Sequence, residues 1–155
     1  GRFESLSLHV YLVLRRLDRL PPPAADVAQE LVDSVFAELD ASLRELGVSD
    51  MGVGKRMKKL GASFYGRTSG YDDALKAEGD GALRQVLARN ILGQAAAMQG
   101  SHPGGDLAAA PLAAYVRAAE AALARADLDA LLSAGPPFPE PSAFAGVPLS
   151  EERPV

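Results

Sequence analysis

The stretch DMGVGKRMKKLGASFYGRTSGYDDAL, residues 50–75, decides the fold because it joins a helical apolar seam to the densest positive charge in the chain. At about 100° per residue, six apolar side chains fall within about 40° of one direction. These are Val53, Met57, Leu60, Phe64, Tyr71 and Leu75. The spacing predicts an amphipathic helix with one buried seam, and Asp50 is its expected N-cap.

The other sides of this predicted helix carry charge and glycine. Lys55, Lys58 and Lys59 project opposite the seam, whereas Arg56 and Arg67 flank it. The basic stretch 53–67 therefore has a solvated face, which is either an ordinary surface or a docking site for an anionic partner.

The positions of the glycines lead to two further predictions about the same helix. Gly54 and Gly61 share a side near Tyr65, and because helical glycine is costly we expect another backbone to approach closely there. Gly66 and Gly70 predict a bend or break near Thr68.

The sequence on both sides of this stretch predicts a single all-α domain, a bundle of about five helices. Its 155 residues include 28 alanines, the strongest helix former. The remaining helices are predicted at 3–17, 25–46, 80–92 and 107–125, the last starting near Ala110 because of Pro111 and continuing to about Ser133. Gly47 is the expected left-handed cap of the second helix, and Asp80 the N-cap of the fourth. The helical domain is expected over 1–135.

A proline-rich tail is expected over 136–155, where the proline spacing excludes a regular element. The tail is either extended and mobile or laid across the bundle by Phe138, Phe144 and Val147. A recognition segment for an aromatic groove is an alternative.

Composition excludes several classes of function. The chain has no cysteine, so it has no disulfide framework, thiol nucleophile or cysteine-ligated metal. Residues 51–71 hold five basic residues and no acid inside a chain of net charge −4, which is a local patch and not a broad nucleic-acid-binding field. The apolar run 6–14 is too short to span a membrane. The chain is expected to be cytoplasmic or a peripheral membrane protein.

Motifs for nucleotide, metal or heme are incomplete. GVGK resembles part of a phosphate-binding loop, but Ser49 and Arg56 stand where glycine and Ser or Thr are needed. His9 and His102 are far apart and make no paired motif with Met51, Met57 or Met98. His9 is expected at the edge of the core. No cofactor and no small-molecule substrate are predicted, and nothing resembles a catalytic constellation.

The runs GRFESLSLHVYLVLRRL and VGKRMKKLGASFYGRTSGYDDAL resemble the ubiquinol-cytochrome c chaperone family over about residues 1–92. The resemblance implies a non-catalytic assembly factor for the cytochrome bc1 complex, respiratory complex III. It implies cytochrome b or another complex III component as partner, with a second assembly factor and peripheral contact with membrane or ribosome as further partners. The resemblance also implies a peripheral place at the inner membrane, on the matrix side in a mitochondrion. Family members usually carry a helical segment before GRF, so Gly1 is expected to begin a trimmed or cleaved fragment.

The candidate partner-binding residues are those of the run VGKRMKKLGASFYGRTSGYDDAL that carry a positive charge or an aromatic ring: Lys55, Arg56, Lys58, Lys59, Phe64, Tyr65, Arg67 and Tyr71. From residue chemistry alone, an alternative is a nucleic-acid- or ribosome-binding module with Lys55, Lys58, Lys59 and Arg67 on phosphates and Tyr65 stacking. A structural domain without client chemistry is a third interpretation.

Overall fold

The computed structural model describes residues 2–93 and 107–145, without the side chain of residue 107. Within these ranges the chain forms six α-helices and no strand, which confirms the all-α prediction. They are α1 (Arg2–Leu17), α2 (Ala24–Glu45), α3 (Asp50–Lys76), α4 (Gly81–Leu87), α5 (Ala110–Ala124) and α6 (Leu128–Ala134). A π-helical turn, Ala88–Leu92, continues α4, and 3₁₀ turns occupy Leu107–Ala109 and Pro141–Phe144.

The first helix lies at the centre of the fold, because α1 is apolar on most of its circumference. It packs against α2, α3 and α5. Leu8, Leu12 and Leu17 are each 2% exposed and join the main core with Tyr71 of α3 and Leu83 and Leu87 of α4. A helix with apolar side chains in nearly every direction is stable only when neighbours surround it.

A tight turn joins α2 to α3 as an antiparallel hairpin. Gly47 has φ +82°, the left-handed cap that the sequence predicts. The amide of Gly47 donates to the Arg44 carbonyl at 3.0 Å, and that of Val48 donates to the Leu43 carbonyl at 3.1 Å. These two hydrogen bonds end α2, and the chain reverses its direction within four residues.

The start of α3 differs from the prediction by one residue. Ser49, and not Asp50, is the N-cap, and its hydroxyl accepts from the Gly52 amide at 3.4 Å. The carboxylate of Asp50 instead pairs with Arg44 of α2. Both residue types cap helices well, and the ion pair across the turn selects between them.

The helix α3 has neither the predicted break near Thr68 nor the predicted close backbone approach at Gly54 and Gly61. The helix runs without a break through Gly66 and Gly70 to Lys76, because its second half is held against α1 and α4. Among residues 2–93 and 107–145, no backbone approaches Gly54 or Gly61: a Cβ at Gly54 would meet nothing within 4 Å, and one at Gly61 would touch only the Phe36 ring at 3.9 Å. The close approach is at Gly52, where a Cβ would lie 2.9 Å from Val48 Cγ1.

The later elements close the bundle around α1. α5 begins at Ala110 as predicted, with Pro111 in its first turn. The predicted extension of this helix is a separate helix, α6, capped by Asp127 through a 2.8 Å bond from the Ala130 amide. Asp80 makes no side-chain cap for α4, since its carboxylate binds Arg117 of α5 at 3.0 Å.

Part of the C-terminal segment lies on the bundle. Phe138 meets the His9 ring edge-on at 4.8 Å between centroids, and Phe144 meets Tyr115 at 5.7 Å. The residues Pro141–Phe144 form a 3₁₀ turn, where the proline spacing had predicted no regular element. Val147, His102 and Met98 lie outside the described residues.

Candidate partner-binding site

A groove opens between the end of α1, the first half of α2 and the second half of α3. Its volume is about 910 Å³. Its apolar lining comes from all three helices: Leu14, Leu17, Leu20, Ala28, Val32 and Phe64. Charged residues stand among them: Arg15, Asp18, Arg19, Asp72 and Lys76. An apolar surface with a charged border is typical of a site for an amphipathic ligand or helix.

Two adjacent aromatic residues of α3 line this groove in different ways. Phe64 is 4% exposed and meets Phe36 of α2 edge-on, with 5.9 Å between ring centroids. Tyr65 is 61% exposed, and its ring is available to a partner. Large exposed aromatic side chains are frequent anchors in protein interfaces.

Two other residues of the matching motif are engaged inside the fold. Arg67 Nη2 donates to Glu4 Oε1 of α1 at 2.9 Å, and its guanidinium lies 5.5 Å over the Phe3 ring. Tyr71 is 1% exposed and stacks on Tyr11 at 5.5 Å. Both side chains fasten α3 to α1, so in this structure they shape the site without facing it.

The remaining cations of the motif form what we call the basic face: Lys55, Arg56, Lys58 and Lys59. All four are exposed, and none makes an ion pair with any residue in 2–93 or 107–145. Lys58 lies two helical turns before Tyr65, which places both side chains in nearly one direction about 10 Å apart along the axis. The basic face thus continues from the rim of the groove along α3.

Ion pairs that the sequence pattern did not predict fix one wall of the groove. Arg15 of α1, whose side chain is 11% exposed, pairs with Asp72 of α3 at 3.6 Å and with Glu120 of α5. Lys76 pairs with Asp72 at 3.5 Å, and Arg117 pairs with Glu120 at 3.5 Å. A continuous row of charges therefore joins three helices, and no periodicity within one helix can show which of them will meet.

The hydroxyl group of Tyr11 affects the pKa of Asp72 in this row of charges. Tyr11 donates to Asp72 Oδ1, and this bond, with Lys76 and Arg15 nearby, holds the pKa of Asp72 below its usual value. Burial and the same aspartate raise the pKa of Tyr11. Asp72 is therefore a carboxylate at neutral pH and an acceptor, not a proton donor.

His9 has a structural place at the edge of the core, as predicted. Its Nδ1 lies 2.7 Å from the Ser5 carbonyl oxygen, which only accepts, so Nδ1 carries the hydrogen. Its Nε2 lies 2.8 Å from the Tyr115 hydroxyl and accepts from it. Both ring nitrogens are occupied. In the part of the chain that the structure describes, no group of three or more His, Asp or Glu could hold a metal ion.

Hydropathy gives one further fact about the helices. None of those described, from α1 to α6, is both long enough and apolar enough to cross a membrane.

Fold and site together define an all-α protein of one helical bundle, with an open groove on one side and a basic face beside it. The model of the ubiquinol-cytochrome c chaperone family matches residues 1–138. The chain belongs to the ubiquinol-cytochrome c chaperone family. The family match continues past the region 1–92 on which the sequence resemblance is strongest, and it confirms the expected role as a chaperone in complex III assembly.

A solved structure agrees with this assignment. The crystal structure of the Cbp3 homolog from Brucella abortus is similar to the chain at 37% identity and a TM-score of 0.70, over 92% of this chain and 74% of that one. Among curated proteins, no significant match is found.

Proposed function

We propose that the chain is a non-catalytic chaperone that holds a segment of newly made cytochrome b in the groove between α1, α2 and α3. The groove carries the proposal, because its apolar lining is open while a large aromatic side chain, Tyr65, stands exposed at its rim. Cytochrome b is a membrane protein, and its apolar membrane-spanning segments are exposed to water until they are inserted. An open apolar groove lowers the free energy of such a segment in water.

The size of the groove supports a helical occupant. An α-helix about 10 Å wide that rises about 1.5 Å per residue fills roughly 120 Å³ per residue. A volume of about 910 Å³ corresponds to about two helical turns. The charged border made by Arg15, Asp18 and Lys76 then meets the polar residues that flank an apolar stretch.

The basic face has a second role in this proposal, as the surface that docks the chaperone near an anionic structure. Each exposed lysine close to an anionic membrane contributes about 1 kcal/mol. Lys55, Lys58 and Lys59 lie on the side of α3 away from the buried seam, so they remain free while the groove is filled. The chaperone then works at the periphery of the inner membrane, and a second assembly factor or the ribosome is a further partner.

Blocking the groove tests the proposal. Ala25 lines the groove and is exposed, so Ala25→Trp fills space there without entering the core. Ala41→Trp places the same side chain on an exposed position of the same helix outside the groove. Recovery of cytochrome b with the tagged chaperone from membranes of the source organism is expected to fall for Ala25→Trp and to persist for Ala41→Trp. Equal recovery by both folded variants would contradict the groove as the client site.

A further inference from the structure

The turn between α2 and α3 exposes two large apolar side chains five positions apart, one on each side of the turn. Leu46 is 80% exposed and Met51 is 89% exposed. We call residues 46–51 the hairpin tip. The end of α2, the left-handed Gly47 and the start of α3 hold the tip in a fixed shape, so these side chains are displayed by structure and not by disorder.

The outer half of the hairpin stands apart from the main core. No residue between 32 and 70 belongs to the main cluster of buried residues. Between Ala25 and Gly70 only Val53 and Phe64 are buried, and Phe64 packs on Phe36 across the contact between α2 and α3. In residues 2–93 and 107–145 nothing covers Leu46 or Met51.

Cations stand directly behind the tip. The basic face begins about 6 Å along the α3 axis from Met51, at Lys55, and ends about 12 Å from it, at Lys59. Residues 44–59 carry five Lys or Arg against two acids, a local charge of +3 in a chain whose net charge is −4. The tip is therefore the cationic end of an acidic protein.

The acids near the tip do not cancel this charge. Arg44 pairs with Asp50 and binds Asp40 at 2.8 Å, so both carboxylates already have a cation. Glu45 is exposed and makes no ion pair in the part of the chain described by the structure. Near the tip, one carboxylate and four cations therefore have no ion pair with a described residue.

We propose that the hairpin tip inserts into the interface of an anionic lipid bilayer, with Leu46 and Met51 among the acyl chains and the basic face on the headgroups. Interfacial segments bury apolar side chains about 5–10 Å deep and add attraction between cations and anionic lipid. That depth matches the axial distance between Met51 and the first lysines. Aliphatic Leu and Met have no stacking surface for nucleic-acid bases, so the apolar tip favours lipid over RNA for the basic face.

The lipid assignment uses the basic face of the proposed function but needs neither the groove nor cytochrome b. Purified chain and protein-free vesicles test it, so its failure leaves the client site untouched. The chain has no tryptophan, which makes a single Trp a clean reporter. Met51→Trp places the reporter at the tip, and Leu132→Trp places it on α6 at an exposed leucine far along the chain.

The proposal predicts a blue shift of Met51→Trp emission with vesicles containing anionic phosphatidylglycerol, and no shift for Leu132→Trp. Pure phosphatidylcholine vesicles give no shift with either. In the otherwise native chain, Leu46→Gln with Met51→Gln is expected to weaken vesicle binding at least about tenfold, as removal of two apolar side chains from lipid requires. Leu132→Gln is the matched control and leaves binding unchanged.

Two results would overturn the proposal. One is vesicle binding of the native chain that the two tip glutamines leave unchanged, because contact would then be electrostatic only. The other is an unshifted Met51→Trp spectrum on anionic vesicles together with salt-sensitive binding of a generic RNA oligonucleotide, which would assign the basic face to nucleic acid. Circular dichroism of each variant establishes that it is folded.

Discussion

Phe64 and Tyr65 are consecutive residues whose rings meet at 74° with centroids 5.5 Å apart, yet Phe64 is 4% exposed and Tyr65 is 61% exposed. At this pair, the buried side of α3 borders the exposed side at the groove. One ring belongs to the packing of the hairpin, and its neighbour belongs to the surface that a partner can reach.

This contrast predicts opposite effects of two alanine substitutions. Phe64→Ala removes a buried ring that packs on Phe36 and is expected to lower the free energy of unfolding by about 3–5 kcal/mol. Tyr65→Ala is expected to change it by less than about 0.5 kcal/mol, the usual result at an exposed site. Urea unfolding followed by circular dichroism measures both. Equal losses would mean that Tyr65 is part of the packing and not of a free surface.

The hydrogen bond from Tyr11 to Asp72 predicts that the free energy of unfolding decreases at low pH. Because the pKa of Asp72 is lowered in the folded state, its contribution to stability is complete above about pH 4 and is lost as pH falls through the folded pKa. Asp72→Asn is expected to cost about 1 kcal/mol at neutral pH, since the side chain is 42% exposed and solvent screens its charge.

Asp73, next to Asp72 in the chain, provides the control for the predicted loss of stability at low pH. Unfolding free energies of the native chain and of Asp72→Asn should converge as pH falls below the folded-state pKa of Asp72, where the carboxyl group is protonated in both states. Asp73 is exposed and makes no ion pair within residues 2–93 and 107–145. Asp73→Asn should follow the native curve, and a difference that persists at low pH would refute the role of the Asp72 charge.

Two glycines near the start of α3 predict a difference in stability. Gly54 is exposed, and no atom of the described residues lies within 4 Å of a Cβ there, so Gly54→Ala is expected to raise the unfolding free energy by about 0.5–1 kcal/mol. Gly52→Ala brings a methyl within 2.9 Å of Val48 and 3.2 Å of Ser49 Oγ, which offsets the gain. Thermal unfolding of the pair checks this order. A stabilising Gly52→Ala would show that the turn adjusts freely.

Charge reversal of the basic face predicts a functional loss without unfolding. The triple substitution of Lys55, Lys58 and Lys59 by Glu is expected to leave the helical circular dichroism signal intact. It is expected to reduce complex III assembly in cells. Arg2, Arg89 and Arg125 to Glu makes the same change in net charge at exposed positions elsewhere. Normal assembly with the lysine triple variant would remove the basic face from the function.

Much of the fold follows from local pattern. The bounds of α1 and α2, the cap at Gly47 and the start of α5 at Pro111 depend on periodicity and on single residues, which the sequence shows directly. The continuity of α3 does not, because tertiary packing along its second half outweighs the intrinsic cost of glycine. The contact of Gly70 with Val86 Cγ2, at 3.4 Å from a Cβ there, belongs to that packing.

The candidate site divides in the same way. Exposed lysines opposite an apolar seam are visible as a helical pattern, and so is an aromatic residue beside the seam. The groove is not, because its walls come from three helices and its width depends on their relative positions. The partners of Arg15 lie 57 and 105 positions away, beyond any local signal.

Site-specific photocrosslinking tests the central claim most directly. A benzoylphenylalanine replacing Tyr65 stands at the groove rim, and the same residue replacing Leu132 stands on an exposed position of α6. With both variants supporting complex III assembly in cells of the source organism, irradiation is expected to join cytochrome b to the chaperone from position 65 and not from position 132. Absence of a cytochrome b adduct at position 65 under these conditions, or equal adducts from both positions, would contradict the account.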